Sequence, residues 1–181
     1  DDPLHDARAW QTIAPSAVPF DEGWPVPRAM TRRDMERVRD ELVKILMSDR
    51  AAQGIILLEE LNLLQYVLPE LREGLGVGQN LHHIYTVFEH NVRALEYTAK
   101  KGYSLLVRLS ALLHDVGKPK AKQGEGYNST FHGHEMVGAK MVLKALDRLR
   151  FPKDVVEQAA HLVRYHMFYY NVGEVSPAGV R

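Results

Sequence analysis

The sequence predicts an all-α fold, and three observations carry that reading. From Thr31 onward apolar residues recur at steps of three and four, the repeat of an amphipathic helix. Glycine and proline bound the periodic segments. No run alternates apolar and polar residues in the manner of a half-buried strand.

Residues 1–30 hold five of the nine prolines, with both tryptophans among them. Proline at that density opposes helix and central strand alike, so this segment reads as an extended arm or linker. Trp10, Phe20 and Trp24 either pin the arm to the body or are incidental to a flexible tail. Thr31 is a good N-cap, and Met35, Val38, Leu42, Ile45 and Leu46 place a helix to about Met47. A second helix is expected from about Ala51 through Ile55, Leu58, Leu61 and Leu64, until Pro69 breaks it. Gly74, Gly76 and Gly78 then make a loop, which divides a helical module at 31–80 from a second at 81–181.

In the second module, helices are expected over about Leu81 to Lys101, ended by Gly102, and Ser104 to Asp115, stopped by Gly117 and Pro119. Lys120 to Asn128 reads as a polar loop. Helices follow at about Phe131 to Leu149 and Pro152 to Phe168, the latter with proline in its first turn. Ser176-Pro177 looks like one more helix start, so the last module is expected either to continue past Arg181 or to end in a disordered remainder.

Twenty-three basic and 23 acidic residues cancel, so no global field attracts nucleic acid and any RNA contact must be local. Cysteine is absent, which removes disulfide-linked partners, thiolate nucleophiles and cysteine-based zinc sites. No apolar run approaches the roughly 20 residues of a membrane span, and the N-terminus lacks a signal-peptide layout. The expectation is a soluble, cytoplasmic protein without a membrane partner.

Histidine is the informative residue. Eight of the nine fall at or after His82. His90 lies on the helix face carrying Val87, Ala94 and Tyr97, which is expected to point toward the core. His114 and Asp115 end the next helix, His134 opens the helix after the polar loop, and His166 closes the last one. Helix termini of a bundle can converge at one end. A lone buried histidine is more often a hydrogen-bonded core residue than a ligand. The joint pattern of His90, His114, Asp115, His134 and His166 points instead to one or two divalent ions: Mn, Ni, Fe, Mg, Zn or Co. Asp115, with two oxygens, could bridge a pair of metals. Lys118 either reaches a bound phosphate as a point charge or belongs with Lys120 and Lys122 to a solvated loop. His82, His83, His132 and His161 read as structural residues or as supports for the ligands.

The run His114-Asp115-Val116-Gly117-Lys118-Pro119 resembles the central motif of the HD superfamily of metal-dependent phosphohydrolases. That signature is a histidine, a later His-Asp pair and a distal aspartate, and His90 with His114-Asp115 match its first three members. Two-metal members add two histidines, and His134 and His166 fall in those places. A narrower resemblance covers about residues 31–181. Glu36-Arg37-Val38-Arg39-Asp40-Glu41-Leu42, Leu68-Pro69-Glu70-Leu71, Val87-Phe88-Glu89-His90 and Phe131-His132-Gly133-His134-Glu135 look like the C-terminal half of bacterial tRNA nucleotidyltransferases and poly(A) polymerases.

The resemblance implies an HD-domain helical bundle preceded by a small neck-like helical module. It implies a phosphomonoesterase or cyclic phosphodiesterase acting on nucleotides or RNA ends, with Asp115 orienting water and Lys118 binding phosphate. The nucleotidyltransferase head of that family has no counterpart here, because no Gly-Ser followed by paired acidic residues occurs on a strand; nucleotide addition is not expected of this chain. The sequence also departs from the pattern after His166, where Glu174 is the only acid and no aspartate follows. The last ligand is therefore expected beyond Arg181, or the set is incomplete. The other reading is an RNA-binding or structural body module with a degenerate HD site, in which Arg32, Arg33, Arg37, Arg39, Arg148, Arg150 and Lys153 contact a tRNA backbone.

Overall fold

Side-chain capping boxes set where two of the longer helices begin. In a computed structural model of the chain, residues 30–79 and 84–167 are described. Helix α1 (Arg32–Met47) opens on a capping box: the Thr31 amide donates to the Asp34 carboxylate at 2.9 Å, and the Asp34 amide donates back to the Thr31 hydroxyl at 3.3 Å. Met35, Leu42 and Leu46 are buried along one face, with Val38 and Ile45 partly buried beside them. Helix α2 (Ala51–Glu60) ends earlier than the apolar repeat suggests. Asn62 takes the left-handed φ of 56°, which turns the chain, and Leu61, expected on the buried face, is exposed. Two single turns, α3 (Leu64–Val67) and α4 (Pro69–Arg72), complete this part.

Helix α5 (Val87–Lys100) starts later than expected from the apolar pattern. Its start is set by a second capping box, in which the Thr86 amide donates to Glu89 Oε2 at 2.7 Å and the Glu89 amide donates back to Thr86 Oγ1 at 3.3 Å. Residues 101–104, with Gly102 at φ 67°, turn the chain into α6 (Leu105–Leu113). Pro119 then sits in the first turn of a short helix, α7 (Lys118–Ala121), where a loop was expected from Lys120. A 3-10 turn (Gly126–Asn128) follows, closed by paired backbone bonds of 2.9 Å between Gln123 and Thr130. Helices α8 (His134–Arg148) and α9 (Lys153–Tyr165) are joined by residues 149–152. The arm at 1–29, with Trp10, Phe20 and Trp24, and the expectations for Phe168, Glu174 and Ser176-Pro177 lie outside the described residues, as do His82 and His83.

The layout is two helical hairpins, α5–α6 and α8–α9, with α9 packed on both α8 and α6. Helix α2 lies on α5, and α1 lies on α2 and α6. One apolar core runs through all of them, from Leu46, Ile55 and Leu64 to Phe88, Leu109, Leu112, Leu146 and Val163. Arg108 on α6 ties the first helices to the first hairpin. It is buried, yet its guanidinium donates to the carbonyls of Tyr103 (2.9 Å), Leu46 (2.9 Å), Ser48 (3.1 Å) and Ala99 (3.4 Å). A cation gathered by helix C-terminal carbonyls is favourably placed against their dipoles, and it satisfies acceptors that the helices leave open. Replacing it with methionine keeps the volume but leaves those acceptors buried and bare. Arg108→Met is expected to lower unfolding stability by about 3 kcal/mol, read from urea unfolding.

Candidate metal centre

Each hairpin brings the start of its first helix against the end of its second. His90, in the first turn of α5, and His114, which caps α6, stand with their Nε2 atoms 3.0 Å apart. His134, the first residue of α8, and His166, which caps α9, stand with theirs 3.3 Å apart. Asp115 lies between the two pairs. Its Oδ2 is 3.2 Å from His114 and 3.4 Å from His90, and its Oδ1 is 3.2 Å from His134 and 3.5 Å from His166. The expected helix through Asp115 ends instead at Leu113, and Asp115 sits in the turn beyond it. That turn lets one carboxylate face both hairpins.

Backbone carbonyls set the tautomers. Nδ1 of His114, His134 and His166 lies 2.8, 2.7 and 2.7 Å from the carbonyl oxygens of Ala111, Phe131 and Val163. A carbonyl only accepts, so each Nδ1 carries the proton and each Nε2 turns a lone pair into the site. Opposed lone pairs at such distances repel unless a proton or a metal ion lies between them. Asp115 Oδ1 is buried and accepts no well-directed hydrogen bond. Burial pushes the Asp115 carboxyl upward, but the imidazoles of His114, His134 and His166 outweigh it and hold the group well below the usual carboxylate range. Burial lowers His166, while Asp115 and the Val163 carbonyl raise it further, leaving it above the ordinary value of 6.5. These are donors suited to a divalent ion: neutral imidazole nitrogens around an ionised carboxylate. They fall into two triads that share Asp115, His90–His114–Asp115 and Asp115–His134–His166, each with its ligand atoms within 4.8 Å of one another.

His90 is half-buried, turned away from solvent toward His114 across the helix pair. The buried residues of α5 are Val87, Phe88, Asn91, Val92, Leu95, Thr98 and Ala99; of the face expected to carry His90, Val87 is buried, Ala94 half-buried and Tyr97 exposed, so His90 stands at the rim of the core. Lys118 is not part of a solvated loop. Only 8% exposed, its ammonium donates to Asp115 Oδ2 at 2.7 Å and to Gln79 Oε1 at 2.6 Å. Gln79 in turn donates through Nε2 to the Tyr85 carbonyl at 3.1 Å, which fixes its amide with the oxygen toward the lysine. Gln79 went unnoticed in the sequence because it follows a glycine-rich stretch that reads as a boundary; no local signal marks it.

All of these side chains except Gln79 line one open cavity of about 530 Å³, with Phe131 and His132 on its wall. Glu135 also lines it, with its carboxylate 3.3 Å from Arg164. His161 is elsewhere, exposed and stacked on Tyr165. Gly117 permits the whole arrangement. A Cβ there would overlap the His134 carbonyl oxygen and lie 2.5 Å from the Gly138 nitrogen, so the turn after Asp115 presses directly on the backbone of α8.

Residues 87–178 match the family model of the HD domain, and residues 29–75 match that of the "probable RNA and SrmB-binding site of polymerase A". The chain belongs to the HD-domain family, in the form found in tRNA nucleotidyltransferases. It is 48% identical over 136 residues to an A-adding tRNA nucleotidyltransferase of Deinococcus radiodurans, covering 73% of this chain and 31% of that protein. It is 42% identical over 145 residues to a CC-adding tRNA nucleotidyltransferase of Thermus thermophilus, covering 78% and 33%. A multifunctional CCA protein of Neisseria meningitidis serogroup A is 35% identical over 142 residues, covering 77% and 34%. The chain thus spans about a third of the length of the curated relatives it matches.

Because the contact at Gly117 is backbone against backbone, no side chain can yield to make room. Gly117→Ala is expected to cost about 3 kcal/mol of unfolding stability and to separate Asp115 from His134, measured by denaturant unfolding alongside metal titration.

Proposed function

We propose that this chain is a metal-dependent phosphohydrolase, cleaving a phosphomonoester or a cyclic phosphodiester of a nucleotide or an RNA end. The observation that carries the reading is the sharing of one buried carboxylate, Asp115, by two pairs of imidazoles at the floor of an open cavity. His90, His114, Asp115, His134 and His166 would hold one or two divalent ions. A divalent ion bound there lowers the pKa of water toward neutrality and offsets the charge of a phosphate. With a single ion held at one triad, the other Asp115 oxygen would help to orient the attacking water. Lys118, fixed between Asp115 and Gln79, presents a set positive charge to the phosphate from the cavity wall. Phe131 gives the cavity an apolar wall.

The second reading, an RNA-positioning module, is favoured by the match of residues 29–75 to a probable RNA-binding region and by relatives whose names describe action on tRNA. Several cations first considered for that role are engaged within the chain. Arg32 pairs with Glu36, Arg39 with Asp40, Arg148 with Glu70 and Lys153 with Glu157.

Elemental analysis and turnover separate the two. The hydrolase reading expects stoichiometric metal and Mn²⁺-, Ni²⁺- or Mg²⁺-dependent turnover of 2′,3′-cyclic nucleotides or a general phosphodiester. His114→Ala and Asp115→Ala should lose both, turnover by more than about 100-fold. A chain that carries metal yet hydrolyses none of these substrates with any of those ions belongs to the second reading.

Acidity supplies a further check. His166 is raised above 6.5, so in the metal-stripped chain its protonation stabilises the fold below that value, and this contribution is lost as pH rises through the higher folded value. A metal takes the place of that proton. The melting temperature of the stripped chain should therefore lose the His166 contribution as pH rises above 6.5, while the increase produced by added Mn²⁺ should grow. Thermal melts with and without the ion read both trends.

A further inference from the structure

A second groove, of about 360 Å³, lies between α4, α7 and α8, lined by Pro69, Glu70, Glu73, Lys120, Val137, Lys140, Met141 and Lys144. Its charges do not cancel. Glu70 is bound by Arg148 through bonds of 3.0 and 2.8 Å, and Glu73 by Lys120 at 3.1 Å. Lys140 and Lys144, exposed one turn apart on α8, have no ion pair among the described residues. A chain with zero net charge thus gathers two uncommitted cations on one concave wall.

Val137 and Met141 lie between them, and no aromatic side chain among the described residues lines the groove. Nothing there can stack a base, so a ligand would be read through its backbone charge. The groove also joins the two matched regions. Pro69, Glu70 and Glu73 belong to the stretch similar to the probable RNA-binding region, and the remaining residues belong to the HD domain. Both helices on the HD side carry residues of the metal cavity as well: Lys118 and Lys120 share α7, and His134 and Lys140 share α8 about 9 Å apart along its axis.

We infer that this groove binds the phosphodiester backbone of an RNA strand, with Lys140 and Lys144 on successive phosphates and Lys120 released from Glu73 to a third. The inference rests on the proposed hydrolase reading only in making that RNA the molecule whose end enters the metal cavity. Binding itself is independent of turnover. Sequence preference should be slight, because the contacts are to backbone.

The test measures binding of a fluorescent single-stranded RNA to the full chain as a function of salt, with hydrolysis of a cyclic mononucleotide measured in parallel. Lys140→Glu/Lys144→Glu is expected to weaken RNA binding by at least about tenfold near physiological salt and to reduce the slope of log affinity against log salt by about 1.4. Metal content and mononucleotide turnover should stay at the parent level. Glu73→Gln, which removes the competitor for Lys120, should tighten RNA binding, an outcome that damage to the fold cannot imitate. Unchanged RNA affinity and slope in the double variant would overturn the inference, as would a parent chain that binds no RNA. Absence of mononucleotide turnover, with the lysine effects intact, would count against the hydrolase reading alone.

Discussion

The arrangement depends on one close approach, the backbone of Gly117 against the first turns of α8. There the His134 carbonyl and the Gly138 nitrogen occupy the space a side chain would need. Gly138 is itself small for the same contact, with Gly117 on one side and Val163 of α9 on the other. Through this point the turn that follows α6 is held against the second hairpin, and Asp115, two residues earlier, is carried to within 3.2 Å of His134. A wider separation would leave each histidine pair with no carboxylate in common.

Around that contact the two hairpins repeat one device. In each, the first helix contributes a histidine from its opening turn and the second contributes one from its cap. The helix ends do more than bring the rings together. At the caps of α6 and α9 the carbonyl three residues earlier accepts from Nδ1, and His134 makes the same bond to Phe131 just before α8, so the protein backbone selects the tautomer that turns Nε2 inward. Without a metal, a proton taken up at His166 Nε2 is stabilised by the Asp115 carboxylate and the carboxylate by the imidazoles, which is why the Asp115 and His166 ionisations move in opposite directions.

The core and the site are also joined mechanically. Arg108 collects carbonyls from the ends of α1 and α5, and Gln79, arriving from the loop after α4, reaches Lys118 and through it Asp115. The loop leaving the first helices is further bonded to the start of α5, with Val87 and Phe88 donating to the Val77 and Gly74 carbonyls at 2.9 and 3.1 Å. The stretch at 74–79, which reads from composition as a plain boundary, is therefore the strap that positions the lysine.

Much of this was legible in the residues alone, because periodic burial and helix punctuation are local. Thr31 starts α1, Gly102 turns α5 into α6, and the order His90, His114-Asp115, His134, His166 marks a donor series at helix ends. What could not be read there was direction and distance. The apolar repeat carried α2 too far, since only packing shows that Asn62 turns left-handed and exposes Leu61. The repeat placed Tyr97 on the inner face although it is exposed, and composition left Lys118 open between a phosphate contact and a solvated loop. Gln79 had no signal at all. Sequence by itself determined the all-α class and which residues could form the site, because those follow from spacing along one helix. Folding decided that a single carboxylate serves both histidine pairs and that a buried amide holds the lysine, because both depend on contacts between segments distant along the chain.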